Sequence, residues 1–394
     1  MSTTEQCPII DYNPFLIEPV HGHVKAVDEL QAKFRHIRTE PLGASFHVFL
    51  KADDIRDALQ DPGLWSSRAV TPLDPNPPYL WIPEMLDPPK HTKWRQLLSP
   101  HFAPGPMTAM EAEVRARAAE LVAPLAAKGS CDFLNDFAWQ YPTSIFMKIF
   151  GMPMDDFDQF MTWEAAILHT PPDLDPDRSK AVEAMMAVQS YFAELLKKKS
   201  EEPGDDLLTE CLTWRIDGEP IPQDDLLAFC LLMMMAGLDT VSIQLAYSFH
   251  HLATHPEDRE RIVREPSIIP SAVEEFLRAY AFVAPGRTAT RDTVHNGVEI
   301  KAGEMVFLPL CAATRDPDQF ENAKRVDIAR AVNNHAAFGL GPHRCLGSHL
   351  ARRELRFAIE EWHKVIPNYR LADNQDVLEH GGMFGIDNLS LVWD

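Results

Sequence analysis

Apolar residues recur at helical spacing through the middle and end of the chain. Met110 to Ala127, rich in Ala and Glu, predicts an amphipathic helix. Asp155 to about His169 and Ser179 to Lys199 predict two more, joined by the breaker-rich Thr170-Pro-Pro-Asp-Leu-Asp-Pro. Asp224 to Thr254 predicts a long, nearly unbroken helix of about 45 Å, ended by Pro256. Leu350, Leu355, Ala358, Ile359 and Trp362 mark one face of a last helix, Leu346 to about Val365. Strand-like runs are scarcer: Ser45–Leu50, Thr288–Thr290, Val298–Ile300, Met305–Leu308 and Leu389–Val392. The expectation is a mainly α fold with a smaller β portion near residues 40–65 and 285–310. Seven prolines fall between Thr71 and Pro89. Such a segment is neither an ordinary helix nor a strand; it reads as a passive surface loop or as a stiff lid over a cavity.

The chain has 394 residues and no visible linker, repeat or low-complexity tract, so residues 1–394 are expected to form a single domain. A net charge of -21 argues against a general nucleic-acid binder. No apolar run reaches membrane-span length; the richest, Leu226 to Ala236, stops short at Asp239. The N-terminus has neither the basic nor the apolar segment of a secretion signal. Cys7, Cys131, Cys211, Cys230, Cys311 and Cys345 are scattered without close pairing, which fits a reducing cytoplasm.

Residues 338–347 read Phe-Gly-Leu-Gly-Pro-His-Arg-Cys-Leu-Gly. Cys345 is placed at the opening of the last helix, whose N-terminus favours a thiolate over a thiol. Gly339, Gly341 and Gly347 permit tight turns and close approach to something flat. Phe338 and Leu346 offer an apolar wall, His343 and Arg344 cationic donors. A lone Cys is ordinarily a buried small hydrophobe. A zinc site would need paired ligands at short spacing, which are missing. A thiolate with an apolar wall, tight backbone and cationic neighbours suits an iron porphyrin with two propionates.

A second constellation interrupts the long helix: Leu231-Leu-Met-Met-Met-Ala-Gly-Leu-Asp-Thr240. Gly237 in a helix interior costs about 1 kcal/mol against Ala, and Asp239 is costly there unless paired. Packing alone could account for each singly. Together they fit a helix passing flat over a cofactor, with Gly237 giving room for a diatomic ligand, Thr240 hydrogen-bonding it and Asp239 relaying protons.

Both segments resemble those of the cytochrome P450 family of haem-thiolate monooxygenases, over roughly Leu64 to Asp394, with residues 1–60 matching weakly. The resemblance implies the P450 fold, with haem b between the long central helix and the cysteine loop, and Cys345 as axial iron ligand. It implies oxygen activation by Asp239 and Thr240 beside Ala236 and Gly237. It assigns His91, Arg95, Arg287 and His343 to the haem propionates and Phe338 to the haem wall. Glu275 and Arg278, three apart on one helix face, with Arg330, match the family's structural Glu–Arg set. Within the family the chain is most similar to the bacterial camphor-hydroxylase branch, through Tyr79-Leu-Trp-Ile-Pro-Glu-Met-Leu-Asp-Pro-Pro, Gly237-Leu-Asp-Thr-Val and the ending Leu391-Val-Trp-Asp.

That likeness implies a pocket of Tyr79, Trp81, Leu232, Met235, Ala236, Phe282, Val283 and Met383. All but Tyr79 are apolar at the contacting end, so the expected substrate is compact and nearly apolar with one hydrogen-bond acceptor, such as a cyclic monoterpenoid, hydroxylated at an unactivated C–H. Met235 and Ala236 add bulk relative to that branch, which speaks against camphor itself. The branch's arginine partner of the helix acid is missing, and His169 falls near its place. No flavin, nicotinamide or iron–sulfur motif is visible, so the resemblance implies electrons from a small acidic [2Fe-2S] ferredoxin with its reductase. Lys90, Lys93, Arg95, Lys324, Arg325, Arg344, Arg352 and Arg353 would form a positive docking patch. The expected protein is cytoplasmic and monomeric, without membrane or nucleic-acid partner. A haem-thiolate sensor, a peroxide-driven haem enzyme and a cysteine hydrolase using Cys345 are the alternative readings.

Overall fold

The computed structural model describes residues 7–170 and 174–394. The first six residues and the middle of the joint after His169 lie outside the described residues. About half of the chain is helical.

The expected central helix forms, but in two halves. Gln223–Leu238 and Thr240–Thr254 continue one another and are hinged at Asp239 (φ -109°, ψ -44°). The interrupted ladder frees carbonyls, and hydroxyls take them. Thr143 and Ser242 donate to the Leu238 carbonyl at 3.0 and 3.3 Å, and Thr240 donates to the Ala236 carbonyl at 3.3 Å. Each half serves a different core. Leu226–Leu238 packs with Trp94, Phe146, Phe150, Val188 and Phe192. Ile243–Ala253 packs with Phe133, Phe137, Phe276 and Trp362. Contrary to the sequence expectation, Gln223–Thr254 is long and apolar enough to cross a membrane by composition. Some 67% of its most apolar window is buried inside the protein, where the two cores cover it.

The strands expected near 40–65 and 285–310 assemble into one five-stranded sheet, in the order His36–Thr39, Phe46–Phe49, Met305–Phe307, Gly286–Ala289 and Trp65–Ser66. Phe46–Phe49 and Met305–Phe307 run parallel and the other pairs antiparallel. Val306 faces both His47 and Arg287 in register, which fixes Arg287 on the central part of the sheet. Val298–Ile300 pairs instead with Thr293–His295 in a separate hairpin. The last helix begins at Ser348, two residues later than expected, and packs along Glu111–Val122. The segment expected as one helix to His169 is α-helical only over Phe157–Glu164 and widens into a π turn at Ala165–His169. The proline-rich stretch 71–89 carries no regular element, and Thr71, Leu73, Tyr79, Trp81, Pro83 and Glu84 line an interior cavity. Of the two readings, the wall over a cavity is the one observed.

The Glu275 carboxylate is fully buried and receives five donors. Arg278 gives it two hydrogen bonds of 2.8 Å, and Arg330 Nε, Asn333 Nδ2 and the Asp327 amide approach at 2.9, 3.0 and 2.8 Å. Burial alone would raise this carboxyl; the hydrogen bonds outweigh it and hold the group below its ordinary range. Arg278 also donates to the carbonyls of Thr314, Ala323 and Arg325, so one ion pair ties the helix Ile269–Ala279 to the segment leading into the cysteine loop. Glu275→Gln would leave a buried guanidinium without its counter-charge, at a cost of about 3–5 kcal/mol. The expected outcome is a lower thermal midpoint and a lower yield of folded protein, and the difference from the parent protein should shrink as acid protonates Glu275.

Candidate active site

A cavity of about 560 Å³ lies between the two cores. The central helix forms one wall, through Leu232, Met233, Ala236, Gly237, Thr240, Val241 and Gln244. These positions share one helical face at steps of three and four. The opposite wall is the loop Phe338–Gly347, held by the Cys345 amide donating to the Phe338 carbonyl at 2.8 Å. Gly339 and Gly341 adopt φ of 67° and 69°. A Cβ at Gly341 would sit 2.3 Å from the Leu59 carbonyl oxygen, so the loop turns hard against the helix Ala52–Gln60. Nothing lies within 4 Å of where a Cβ would sit on Gly339 or Gly347.

Cys345 opens onto this cavity. The helix alone does not produce the thiolate that its position suggested. Burial pushes the thiol above its ordinary value, and the Gly347 amide, Arg95 and Arg344 pull it down only in part. A metal cation bound at the sulfur would supply the missing stabilisation. Cationic side chains gather around the same floor. Arg287 is 2% exposed, donates only to the Gly286 carbonyl, and has no carboxylate within ion-pair distance among the described residues. Arg95 lines the cavity. His343 Nε2 lies 3.1 Å from Ser67 Oγ and its Nδ1 lies 3.6 Å from Glu84. A buried arginine without a counter-ion, a second arginine and an imidazole beside one sulfur fit a prosthetic group with two carboxylates and a metal. His91 does not reach the cavity wall. It is buried behind His343, ring centroids 4.0 Å apart, and its Nδ1 has no partner among the described residues.

The polar break pairs across the cavity's rim. Asp239 is 3% exposed and its Oδ2 lies 3.1 Å from His169 Nε2; the same nitrogen lies 3.0 Å from Glu164 Oε1. The wider π turn brings Glu164 and His169, five residues apart, onto one side. Burial alone would lower the His169 pKa, but the two carboxylates raise it well above 6.5. The His380 ring stands edge-on at 4.6 Å, its Nδ1 engaged by Asp387 at 2.5 Å.

Besides His91, one expected pocket residue falls elsewhere, and one glycine has a second role. Met235 is 3% exposed but does not line the cavity, because it lies off the helix face that carries 232, 236 and 240; Met233 lines it instead. Gly237 borders the cavity, but its missing side chain points at Phe146, whose ring would lie 2.3 Å from a Cβ. The glycine therefore accommodates a neighbouring helix as well as opening space. Tyr79, Trp81, Leu232, Ala236, Phe282, Val283, Met383 and Phe338 all line the cavity. Four residues that sequence reasoning missed also belong to the site or its support: Glu164, Phe146, Arg178 and Glu354. Glu164 is invisible to α-helical spacing. Glu354 is buried in the cavity wall with no charged partner among the described residues, and burial pushes its pKa up to about 8.

The sequence profile of the cytochrome P450 family matches residues 5–378, further toward the N-terminus than the motif resemblance reached. The chain is 34% identical to the probable cytochrome P450 127A1 of Sinorhizobium fredii, covering 89% of this chain and 84% of that one. It is 35% identical to the vitamin D(3) 25-hydroxylase of Pseudonocardia autotrophica, covering 82% and 81%. Among solved structures, CYP101J2 superposes with a TM-score of 0.88 at 26% identity, covering 98% of this chain and 97% of that one. CYP101C1 does so with a TM-score of 0.86 at 28% identity and the same coverage. Both are relatives from the camphor-hydroxylase branch. The chain belongs to the cytochrome P450 family. It is a P450 monooxygenase whose cofactor is protoporphyrin IX haem.

His169→Gln removes the one cation between two buried carboxylates. The His169 pKa is raised on folding, so its stabilisation is whole below pH 6.5 and fades as the pH climbs through the raised value. The thermal midpoint of the variant should therefore lie furthest below that of the parent protein in mildly acidic buffer, with the gap narrowing at alkaline pH.

Proposed function

We propose that this P450 hydroxylates an unactivated C–H of a compact, largely apolar substrate with one hydrogen-bond acceptor, of the size of a cyclic monoterpenoid, using electrons from a [2Fe-2S] ferredoxin. The observation that carries the reading is the pairing of Cys345 on one wall of the cavity with Thr240, backed by Asp239, on the other. The haem, when bound, would supply oxygen activation, and Cys345 would hold its iron through an electron-rich thiolate. Arg95, Arg287 and His343 would hold its carboxylates, with His91 supporting His343 and with Phe338 and Gly339 forming its apolar seat.

Thr240 gives its own hydrogen to the Ala236 carbonyl, so its oxygen is left free to accept a hydrogen bond from a hydrogen-bearing group in the cavity. Asp239 relays protons toward the same part of the cavity. His169 and Glu164 hold Asp239 at the hinge and set how readily its carboxylate turns. The acid–alcohol pair favours oxygen activation over a sensor that never turns over. Tyr79 orients the acceptor, and Trp81, Leu232, Phe282, Val283 and Met383 shape the apolar remainder. Confinement on all sides fixes which carbon is presented.

The reduced, carbon monoxide-bound protein should show the thiolate-type Soret band, and Cys345→Ser should lose it. Asp239→Asn should bind substrate normally while product formation falls about 100-fold and reductant is consumed without product. A normal product yield in Asp239→Asn would remove the acid from the mechanism.

The surface on the Cys345 side supports ferredoxin docking through fewer cations than the sequence offered. Lys93 pairs with Asp217, Arg352 with Glu274 and Arg353 with Glu111, so their charge is met internally. Arg95 faces the cavity. Lys90, Arg325 and Arg344 remain exposed without an ion pair among the described residues, and the exposed Lys324 lies 3.9 Å from Asp28. Arg344→Glu should slow reduction by a [2Fe-2S] ferredoxin about tenfold at low salt, and the difference should vanish at high salt. The bacterial relatives fit a cytoplasmic location, and we infer a monomer.

A further inference from the structure

The cavity carries a positive charge that the reading above does not use. Arg178 lies in the left-handed backbone region (φ 58°) just before the helix Ser179–Glu201, and its side chain lines the cavity. Its Nη2 donates to the Ile167 carbonyl at 3.3 Å. Its Nε is buried and has no partner, and no carboxylate lies within 4.0 Å of the guanidinium among the described residues. The other cations of the wall are accounted for. His169 is taken by Asp239 and Glu164, His380 is engaged by Asp387, and Arg95, Arg287 and His343 gather around Cys345.

Tyr79 lines the same cavity, its ring stacked on Trp81 with centroids 5.3 Å apart. Burial and Asp74 push its phenol pKa up, and Arg178 draws it down. Tyr79 is thus a neutral phenol within hydrogen-bonding reach of both Asp74 and Arg178, and its hydroxyl turns from Asp74 to meet an acceptor in the cavity. Asp74 does not line the cavity. Around this pair the lining is apolar, through Leu73, Trp81, Ile167 and Leu168.

We propose that the acceptor end of the substrate is a carboxylate, gripped by Arg178 with the Tyr79 hydroxyl, so that this enzyme hydroxylates an alicyclic or terpenoid acid rather than a neutral ketone or alcohol. The proposal rests on the hydroxylase reading and names the substrate class of the same cavity. A substrate that fills the cavity displaces the water around Arg178, and a neutral acceptor would leave this half-buried guanidinium, whose Nε has no partner among the described residues, without an ion-paired counter-charge. A carboxylate matches the planar fork of the guanidinium and carries one charge. A dianion would bury a second charge for which no further distal cation is free among the described residues.

The test is a spin-state titration of the haem-loaded enzyme at pH 7 with ω-cyclohexylalkanoic acids, acetic to hexanoic, against their methyl esters. The parent protein should bind at least one acid roughly 10- to 100-fold more tightly than its ester, the range expected of a hydrogen bond to a charged group. Arg178→Gln keeps a donor for the Ile167 carbonyl and removes the charge. It should erase that preference and leave ester binding within about twofold. Tyr79→Phe should weaken the acid further. Equal binding of acid and ester by the parent protein, binding of neither, or an equal loss of both in Arg178→Gln would overturn the proposal. The carbon monoxide spectrum separates the two claims. A thiolate-type band with no acid preference sinks the carboxylate grip alone, whereas loss of that band in the parent protein sinks the hydroxylase reading itself.

Discussion

One apolar helix has to serve two cores and carry a carboxyl group at its midpoint. Everything around the cavity follows from how that conflict is met. Asp239 is 3% exposed, and an isolated carboxylate at such depth would be untenable. The chain answers with a partner from a different element: the π turn Ala165–His169 brings an imidazole within 3.1 Å, and Glu164 completes the set. Breaking the helical ladder at the same point frees two carbonyls, which Thr143, Ser242 and Thr240 take up with hydroxyls. The break is thus saturated locally, and the two halves keep their separate packing.

The second constraint is emptiness. A folded chain close-packs, yet here a cavity of about 560 Å³ persists between the cores. It persists because its walls are fixed from outside. The Glu275 network holds the approach to the cysteine loop, the sheet holds Arg287, and the prolines of residues 71–89 stiffen the third side. The charges left unmet on the floor, Arg287 above all, are a cost that only an anionic cofactor offsets.

Much of this was legible before the fold was known. The cysteine loop, the polar break and the Glu-x-x-Arg pair are local patterns, and a local pattern survives translation into structure. The long helices were legible because burial on one face repeats at a fixed period. What failed was non-local or off-period. The helix Gln140–Phe150 is buried on most sides, so few polar positions mark an outer face. Met235 was placed in the pocket by likeness, but helical geometry turns it away from the cavity. Glu164 and His169 are five apart, which an α-helix would set on different faces, and only the widened turn unites them. Arg178 gave no signal at all, since an arginine after a proline-rich joint reads as solvent-exposed. The paired state of Lys93, Arg352 and Arg353 depends on acids up to hundreds of residues distant, which a count of charges cannot see.

Phe146 borders the cavity and also packs against the side of Gly237 where a side chain would stand. It links the helix interior to the chamber. A single methyl group added at Gly237 would meet that ring at 2.3 Å and force one of the cavity's own walls to shift. Chamber shape is thereby written partly on a neighbouring helix, at a residue that no inventory of residues nearest the iron would include.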